Sequence, residues 1–306
     1  MKILVTGGTG FVGSHTVKKL VEAGHSVRVL ARSERSVSKL NLNGVELASG
    51  DVTTSDSLPP ALNGIEAVIH CVGIIVEPRG VTFEKVVAEG TLSLVNAAVE
   101  AHVSHFIYIS ALGTRPGAAA RYHQTKWEAE ETIRKSGLAY TILRPSIIFG
   151  PEDRFINFFL KFPVIVLPGG GRGRFQPIFV DDLARIVLLS LTTPESRNAT
   201  LDAGGPQQLT YREMMTIALK VSNQRKPMAP APMAFMKLLA ILHDPFQRIY
   251  LPLALFTHEQ YLMMQEDNVG DNALLLKTFP NLQLTTLEEG LRTYLSHKSR
   301  LAPSPA

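Results

Sequence analysis

Short apolar runs alternate with helical patterns through the first half of the chain. The runs that are typical of buried strands lie at 2–6, 26–30, 45–49, 66–72, 105–110 and 139–144. The stretches between them that predict helices lie at 11–23, 33–41, 82–101 and 121–136. Strand–helix alternation predicts a parallel sheet with helices on both faces, and strands this apolar suit burial on both sides. The expected fold class is therefore α/β with a doubly wound parallel sheet.

The pattern changes after Pro145. A stretch rich in proline and glycine at 144–153 is followed by a basic, glycine-rich loop at 167–176. The elements predicted beyond this loop are a helix at 180–191, a short strand near 199–204 that returns to the sheet, and a helix at 209–221 with Thr210 as N-cap. We therefore expect a smaller, mostly helical C-terminal lobe.

Residues 228–256 form an apolar segment that is rich in methionine and leucine and interrupted by prolines. One interpretation is a set of helices that cover the small lobe. The other is a surface for a membrane, a quinone or lipid, or a partner protein complex. Prolines break any long helix in this segment, so contact with a membrane would be peripheral and would not span it.

Composition and charge exclude several classes of protein. The 306 residues are 45% hydrophobic and 19% charged, which is typical of a globular protein. The formal charge of +4 is mildly basic, and without a long Lys/Arg run it favours a phosphate-binding pocket over nucleic-acid binding. A single cysteine, Cys71, excludes an internal disulfide and a cysteine-rich zinc site, and no metal is expected.

The first residues, MKILVTGG, are expected to form a buried strand rather than a signal peptide. No run of about 18 apolar residues predicts a transmembrane helix. The expected location is therefore cytoplasmic, with the apolar segment 228–256 favouring peripheral contact at the inner face of a membrane.

A glycine-rich motif, VTGGTGFVGSH at 5–15, joins the first predicted strand to the first helix. Its glycines have the spacing GxxGxxG, and Gly8 supplies the alternative GxGxxG. Glycines here allow a tight turn and close approach of the backbone to a pyrophosphate, which then faces the free N–H groups of the helix N-terminus. The residues expected to contact a dinucleotide are Gly7, Thr9, Gly10, Phe11, Val12 and Gly13.

The end of the second strand indicates which dinucleotide is bound. NAD-binding chains usually place an acidic residue there, about 20 residues past the glycines, to hold the ribose 2′-hydroxyl. Here the strand ends in Ala31, Arg32 and Ser33, and a guanidinium matches a 2′-phosphate with paired hydrogen bonds. NADP(H) is therefore expected in preference to NAD(H). A solvated arginine at a strand end is the alternative interpretation.

Two later loops complete the predicted cofactor site. Asp51 and Val52 follow the third strand, where a carboxylate can accept a hydrogen bond from the adenine amino group. Cys71, Val72 and Gly73 end the fourth strand, where small residues let the nicotinamide half approach. Together these features predict a Rossmann sheet that binds a dinucleotide.

The motifs predict two unequal parts. Residues 1–150, completed by parts of 176–204, are the expected NADP(H)-binding Rossmann domain. Residues 151–175 and 205–306 are the expected small lobe, which contacts a substrate or a partner.

Six motifs, in this order, resemble the short-chain dehydrogenase/reductase superfamily in its extended and atypical branches, which are similar to NAD-dependent epimerases and dehydratases. They are TGGTGFVG, GDV, YHQTK, RPSIIFGPED, PIFVDDLARI and DAGGPQQLTYREM, and they span most of the chain. Within the superfamily, YTILRPSIIFGPEDRFINFF (140–159) and EDNVGDN (266–272) are most similar to the group of the nucleotide-binding accessory subunit of respiratory complex I.

The resemblance implies roles for Tyr122 and Lys126, which lie four residues apart on a predicted helix. In active members the tyrosine hydroxyl exchanges a proton with the substrate oxygen as hydride moves. The lysine holds the ribose hydroxyls and favours the phenolate. Because free tyrosine has a pKa near ~10, a cation must lower it for work at neutral pH. The resemblance also places Pro145 at the cofactor, and Arg172 and Arg174 near a substrate. These two arginines could bind a phosphate or an anionic lipid headgroup, and a solvated basic loop is the alternative interpretation.

Two other residues that active members use are replaced. The position of a substrate-binding hydroxyl after the fifth strand is occupied by Ala111, with Ser110 one residue early. The position of an asparagine in the proton relay is occupied by Val87. Loss of an oriented hydrogen bond to developing charge costs ~10²–10³ in rate, so the catalytic competence of Tyr122 and Lys126 is in doubt.

Three functions are compatible with the sequence. The first is a protein that holds NADPH and acts with complex I or with other quinone-related membrane machinery. The second is an active reductase, dehydrogenase or epimerase on a small or nucleotide-linked substrate, in which Ser110 or Thr114 replaces the missing hydroxyl. The third is a redox-sensing regulator that binds NADP(H) and a partner protein.

Overall fold

The structure is a computed structural model that describes residues 1–38, 40, 42–78, 80–243 and 257–298. Its strands are β1 (Lys2–Thr6), β2 (Ser26–Ala31), β3 (Val45–Ser49), β4 (Ala67–His70), β5 (His105–Ile109), β6 (Tyr140–Pro145), β7 (Ile148–Phe149), β8 (Ile165–Pro168), β9 (Arg174–Phe175), β10 (Ile178–Phe179), β11 (Ala199–Ala203), β12 (Leu209–Thr210) and β13 (Met228–Ala231).

Helices in the described part of the chain connect and flank these strands. They are α1 (Phe11–Glu22), α2 (Glu34–Ser38), α3 (Leu58–Leu62), α4 (Gly90–Glu100), α5 (Arg121–Lys135), α6 (Ile156–Phe159), α7 (Val180–Thr192), α8 (Tyr211–Val221), α9 (Met233–His243), α10 (His258–Met263), α11 (Ala273–Thr278) and α12 (Leu287–Lys298). Short 3₁₀ turns lie at Ser55–Ser57, Gly169–Gly171 and Pro194–Ser196, and a π-helix lies at Glu84–Glu89.

One seven-stranded sheet organises the molecule. Its strands are all parallel and lie in the order β11-β6-β5-β4-β1-β2-β3. The strand order reverses between β1 and β4, and ligands of such sheets bind outside the carboxyl ends of the strands at this switch point. The predicted doubly wound parallel Rossmann sheet is therefore confirmed, and its switch point locates the candidate site.

Helices cover both faces of the sheet because its strands are apolar on both sides. On one face, α1 and α7 contribute Val17 and Leu183 to a core with the side chains of the central strands. On the other face, α3, α4 and α5 form a second core that includes Leu94 and Ile133. The sheet is buried between two layers of helices, so its carboxyl edge is a rigid support for the loops that follow each strand.

A third core lies outside the main sheet and belongs to the smaller, mostly helical region. Helices α8 and α12 contribute Met214 and Leu291 to it. The predicted N-cap of α8 is confirmed, because the Thr210 hydroxyl accepts from Glu213 N and the Glu213 carboxylate accepts from Thr210 N. The two-stranded pairs β8–β13 and β9–β12 complete this region. The exact division of the chain into two domains stays a prediction.

Two helix predictions differ from the structure in extent. The helix expected at 33–41 is shorter, because α2 covers Glu34–Ser38 and Leu40 lies in a turn. The helix expected at 82–101 is interrupted, since Glu84–Glu89 form a π-helix before α4 begins at Gly90. A π-turn holds one extra residue, which changes the face that the side chains around Phe83 present to the neighbouring helix α5.

The apolar segment 228–256 is described in its first part. It forms β13 and then α9, as expected for a helical cover of the small lobe, while residues 244–256 lie outside the described residues. Among the described residues, no helix combines the length and the apolar character needed to cross a bilayer.

Candidate functional site

The glycine-rich loop is shaped by contacts that only glycine allows. A Cβ on Gly13 would lie 2.1 Å from Gly7 O, so α1 could not pack against the end of β1 with any side chain there. Gly7 has a φ of 71°, and a Cβ on it would lie 2.9 Å from the carbonyl carbon of Cys71. The structure therefore brings Gly7 and Gly13 together as the tight, closely approached turn that a pyrophosphate site requires.

The N-terminus of α1 is open to an anion. No side chain caps it at Gly10, and its first turn contains no acidic residue. Thr9 and Gly10 are exposed, and Phe11 and Val12 are half-buried. The free N–H groups and the positive end of the helix dipole therefore point to an accessible position, where a diphosphate would fit.

Arg32 and Asp51 lie side by side at the carboxyl ends of β2 and β3. The Arg32 side chain is 85% exposed, and its Nε lies 3.9 Å from Asp51 Oδ2. Asp51 Oδ1 accepts hydrogen bonds from the backbone N and the hydroxyl of Thr53, which orient the carboxylate. Val52 is buried in the core beneath them. Arg32 is thus exposed and paired with Asp51, and Thr53 holds the Asp51 carboxylate at the edge of the sheet.

His70 is a core residue rather than a ligand. It is fully buried at the end of β4, where burial lowers its pKa to about 3. Thr91 donates its hydroxyl to Val87 O and therefore accepts from His70 Nε2, which leaves His70 Nδ1 to accept from Thr6. Burial also raises the pKa of the adjacent Cys71 to about 12, so this thiol is not a reactive thiolate at neutral pH.

Lys126 faces the loop after β4. A Cβ on Gly73 would lie 3.4 Å from Lys126 Nζ, which places the ammonium beside the predicted nicotinamide loop. Lys126 Nζ donates to Ile109 O at 2.8 Å and lies 4.6 Å from the centre of the Tyr108 ring. Burial lowers its pKa to about 8, which still leaves most of the group charged at pH 7.

Tyr122 has no such polar environment. Its ring lies edge-on to Phe83 at 5.9 Å and tilted to His123 at 5.3 Å. Burial raises the pKa of Tyr122 to about 12, whereas acid–base work near neutral pH needs a pKa lowered by a cation. The predicted pair is therefore present on one helix, and the pKa of its tyrosine lies above the ordinary value rather than below it.

Ser110, one candidate to replace the missing hydroxyl, is hydrogen-bonded within the protein. Ser110 is buried, and its hydroxyl donates to Glu130 Oε1 at 2.6 Å and lies 3.4 Å from the Thr114 hydroxyl. Ala111 offers no polar group, and Val87 is fully buried in the core of α4 and α5. Successive side chains along a strand point to opposite faces. Ser110, one residue before Ala111, accordingly points to Glu130.

Sequence reasoning missed the buried charge cluster that holds Ser110. Glu130 is completely buried and accepts from Arg144 at 2.6 and 2.9 Å and from Arg134 at 2.6 Å. Both guanidinium groups also lie over the Trp127 ring, at 5.0 and 6.0 Å. One signal was visible, since Trp127, Glu130 and Arg134 follow at the i, i+3, i+7 spacing of one helix face.

A second missed cluster joins α1 to the small lobe. His15 Nδ1 lies 2.6 Å from Asp181 Oδ1, and His15 Nε2 lies 3.1 Å from Glu152 Oε2. Burial alone would lower the His15 pKa, but the two carboxylates raise it above the ordinary value. The three residues come from α1, α7 and the loop after β7, so only the tertiary structure brings them together.

Loop 266–272 lies against the ends of β6 and β11. Asn268 Oδ1 accepts from Ser146 Oγ at 2.7 Å and from Ile147 N at 2.9 Å, directly after Pro145. Arg115 forms a paired contact with Glu266 at 2.6 and 2.8 Å. Pro145 thus lies at the carboxyl edge of the sheet, as expected of a residue near the cofactor.

Arg172 and Arg174 lie far along the chain from the pair at Tyr122, in the glycine-rich loop of the small lobe. Both side chains are exposed, and Arg172 lines a surface cavity with Arg212. Among the described residues, no cluster of three or more His, Cys, Asp or Glu could hold a metal ion.

Comparison with known proteins identifies the family. A family profile described as NAD(P)H-binding matches residues 7–155. The mitochondrial NADH dehydrogenase [ubiquinone] 1 alpha subcomplex subunit 9 of Arabidopsis thaliana is 31% identical over 288 residues, which are 88% of this chain and 71% of that protein. The chain belongs to the atypical short-chain dehydrogenases/reductases, near the complex I accessory group.

Other relatives of this atypical member have different names. The photosystem II assembly factor Ycf39 of Trieres chinensis is 27% identical over 81% of this chain and 77% of its own length. The NAD(P)H azoreductase of Xenophilus azovorans is 28% identical over 69% of this chain and 71% of its own length. The family thus includes proteins named for assembly, for membership of a complex and for catalysis.

Solved structures confirm the fold. The UDP-glucose 4-epimerase of Thermotoga maritima aligns with a TM-score of 0.75 at 19% identity, over 98% of this chain and 99% of that one. The UDP-glucose 4-epimerase of Thermus thermophilus, solved in complex with NAD, aligns with a TM-score of 0.75 over 99% and 100% of the two chains at 19% identity. The predicted resemblance to epimerases and dehydratases is therefore correct at the level of the fold.

Proposed function

We propose that this protein binds NADPH and acts as an accessory or assembly component of a quinone-related membrane redox complex, without rapid turnover of its own. One observation carries the proposal: the only serine next to the substrate-hydroxyl position, Ser110, is bound to the buried Glu130. Ala111 stands at the position itself, so a substrate oxygen would find no hydroxyl donor there. The cofactor loop keeps its glycine contacts in the same site.

NADPH is the proposed form of the cofactor because of Arg32. Its guanidinium is exposed at the carboxyl end of β2, where the 2′ position of the adenosine ribose is expected. The carboxylate beside it, Asp51, is already engaged with Thr53, which supports a role at the adenine rather than at the ribose. A bound dinucleotide would supply hydride chemistry, and this chain's residues would bind and orient it.

Membrane association is proposed from the relatives and from the apolar segment 228–256. Two of the similar proteins are named for complex I and for photosystem II, which are both membrane redox assemblies. We propose that residues 1–150, with parts of 176–204, hold the dinucleotide. The small lobe, 151–175 and 205–306, would then contact the partner, and Arg172 and Arg174 would belong to that contact.

An active NADP-dependent reductase is the second candidate. The name of the azoreductase relative and the presence of Tyr122 and Lys126 on one helix favour it. In such an enzyme Lys126, charged and beside Gly73, would have to lower the Tyr122 pKa from about 12 once a ligand orders the site.

Tyr122→Phe separates the two functions. We expect this variant to retain NADPH and to complement a deletion strain at least in part, because the phenol ring keeps its packing on Phe83 while only the hydroxyl is lost. Phe83→Leu, which removes that ring contact but leaves the hydroxyl, is the matched control. Complementation and NADPH retention by the purified protein are measured on the same variants.

The active-enzyme function predicts the opposite result. If Tyr122→Phe binds NADPH like the parent but behaves as a null in complementation, the protein is a catalyst and the proposed accessory role is wrong.

A further inference from the structure

The basic charge of the chain is concentrated in the small lobe. Segments 151–175 and 205–243 contain nine Lys and Arg but three Asp and Glu, a net charge of +6 against +4 for the whole chain. All three acids are engaged within the protein: Glu152 contacts His15, Asp153 accepts from the backbone at the start of α6, and Glu213 accepts from Thr210. With residues 244–306 included, the whole small lobe has a net charge of +4 and the rest of the chain is neutral, so this lobe would attract anions.

Helix α9 exposes an apolar stripe on this basic lobe. Phe235, Leu238, Ile241 and Leu242 are each between 50% and 57% exposed. Phe235, Leu238 and Leu242 follow the i, i+3, i+7 spacing of one helix face. The opposite face of α9 is buried, because Met236 and Ala240 pack in a small core. A helix with one buried face and one large exposed apolar face has surface left for a second apolar environment.

A basic cavity lies beside the start of α9. It has a volume of about 490 Å³ and is lined by Gly170, Gly171, Arg172, Thr210, Arg212 and Pro230. Pro230 is three residues before α9, and a Cβ on Gly169 would lie 3.5 Å from Met233 in the first turn of that helix. Within the described part of the chain, no carboxylate pairs with Arg172 or Arg212.

We infer that α9 and this cavity form a docking surface for an anionic phospholipid bilayer. Phe235, Leu238 and Leu242 would enter the apolar boundary of the bilayer, and Arg172 and Arg212 would bind headgroup phosphates. Exposed Lys237, on α9 itself, would extend its ammonium to the headgroups. The inference rests on the proposed membrane association and names the lipid surface as what the lobe contacts.

Charge decides between this occupant and a second copy of the chain. A symmetric dimer through α9 would bring two small lobes together, each with a net charge of +4, and like charges facing each other oppose association. An anionic bilayer has an apolar interior, which matches the α9 stripe, and negative phosphates, which match the basic cavity.

Vesicle flotation tests the inference with the full chain. We expect binding to vesicles of equimolar phosphatidylcholine and phosphatidylglycerol, little binding to pure phosphatidylcholine vesicles, and weaker binding as NaCl is raised. Each basic residue near an anionic surface contributes about fivefold in affinity, so Arg172→Gln with Arg212→Gln should weaken binding on the order of 25-fold.

Two further double variants test whether vesicle binding depends on the α9 stripe or on any exposed apolar side chains. Phe235→Ser with Leu238→Ser should weaken vesicle binding by at least about tenfold, because it removes two exposed anchors. Leu274→Ser with Leu276→Ser is the matched control, since these leucines are similarly exposed on α11. It should bind vesicles like the parent. Thermal unfolding of every variant checks that the fold is intact.

Several results would overturn the inference. They are equal binding to neutral and anionic vesicles, no binding to either, or unchanged binding by both the arginine and the α9 variants. Attachment to native membranes without attachment to protein-free anionic vesicles would also overturn it and would indicate a protein partner.

Complementation and NADPH binding test the proposed function separately from the lipid surface. A parent protein that binds NADPH and complements the deletion strain but does not bind anionic vesicles refutes the lipid surface alone. A parent protein that binds anionic vesicles but not NADPH refutes the proposed cofactor role alone.

Discussion

The glycine-rich loop after β1 and the helix that carries Tyr122 and Lys126 meet at one edge of the sheet, but they differ in what they retain. In the loop, the closest contacts require glycine, namely Gly13 against Gly7 and Gly7 against Cys71. On α5, Lys126 faces Gly73, yet Tyr122 packs against Phe83 and the nearby serine is bound to Glu130. The loop keeps the glycine geometry of a phosphate site, whereas the Tyr122 pKa is raised and no hydroxyl stands at position 111.

This difference shows that binding and catalysis place separate demands on one site. Phosphate binding needs backbone geometry, which glycines and a helix N-terminus supply without any reactive side chain. Proton transfer needs a hydroxyl with a tuned pKa and an oriented partner, and each of these depends on a single side chain. A chain can therefore lose the second property through changes such as Ala111 and Val87 while it keeps the first.

Gly13→Ala should produce the largest effect on the phosphate half. Its Cβ would lie 2.1 Å from Gly7 O, so α1 must move away from β1 and the pyrophosphate position is lost. We expect no measurable NADPH binding by calorimetry. The control is Gly173→Ala, where a Cβ would lie 3.8 Å from its nearest neighbour, Phe175. A Gly13→Ala protein that binds NADPH like the parent would show that this contact does not shape the site.

Glu130→Gln should destabilise the other half without directly touching the cofactor. The substitution leaves Arg134 and Arg144 without their buried counter-charge, which typically costs 3–5 kcal/mol, so we expect a loss of roughly that size in urea unfolding. Glu131→Gln, which contacts Arg134 from a partly exposed position, is the control and should cost about 1 kcal/mol or less. If the two variants are equally stable, Glu130 is not the organising charge of this cluster.

Lys126→Ala should weaken NADPH binding because the ribose loses a charged donor beside Gly73. A hydrogen bond to a charged group contributes about 1.5–3 kcal/mol, which corresponds to roughly tenfold to a hundredfold in Kd. Lys135→Ala, an exposed lysine at the end of the same helix, serves as the control for general charge. Unchanged NADPH affinity in Lys126→Ala would mean that this lysine serves the packing around Tyr108 and Ile109 instead.

Arg32→Ala should have the smallest effect, and it tests which dinucleotide the phosphate half prefers. Because the side chain is exposed, the variant should keep its fold and lose affinity for NADPH more than for NADH. Calorimetry with both cofactors measures the difference in affinity between NADPH and NADH, and Arg35→Ala, in the following helix α2, is the control. Equal affinity of the parent protein for NADPH and NADH would show that the assignment of Arg32 is wrong.

Much of the fold and part of the site follow from the sequence. Apolar runs of five to seven residues between helical patterns were enough to predict the parallel sheet, because burial on both faces requires such strands. Gly7, Gly10 and Gly13 predicted the phosphate loop for a similar reason, since close backbone approach permits no side chain. Thr210 and Glu213 marked the start of α8, because capping is a local interaction.

Tertiary structure alone decided the rest, because the interactions concerned join residues far apart in the chain. Whether Ser110 can replace a missing hydroxyl depends on Glu130 of α5, which accepts its hydrogen bond. Glu130 is in turn held by Arg144 of β6. The π-turn before α4, the contact of His15 with Asp181 and Glu152, and the exposed stripe of α9 depend likewise on packing between distant elements. Local sequence specifies backbone shape, whereas the pKa, direction and exposure of a side chain depend on its neighbours in space.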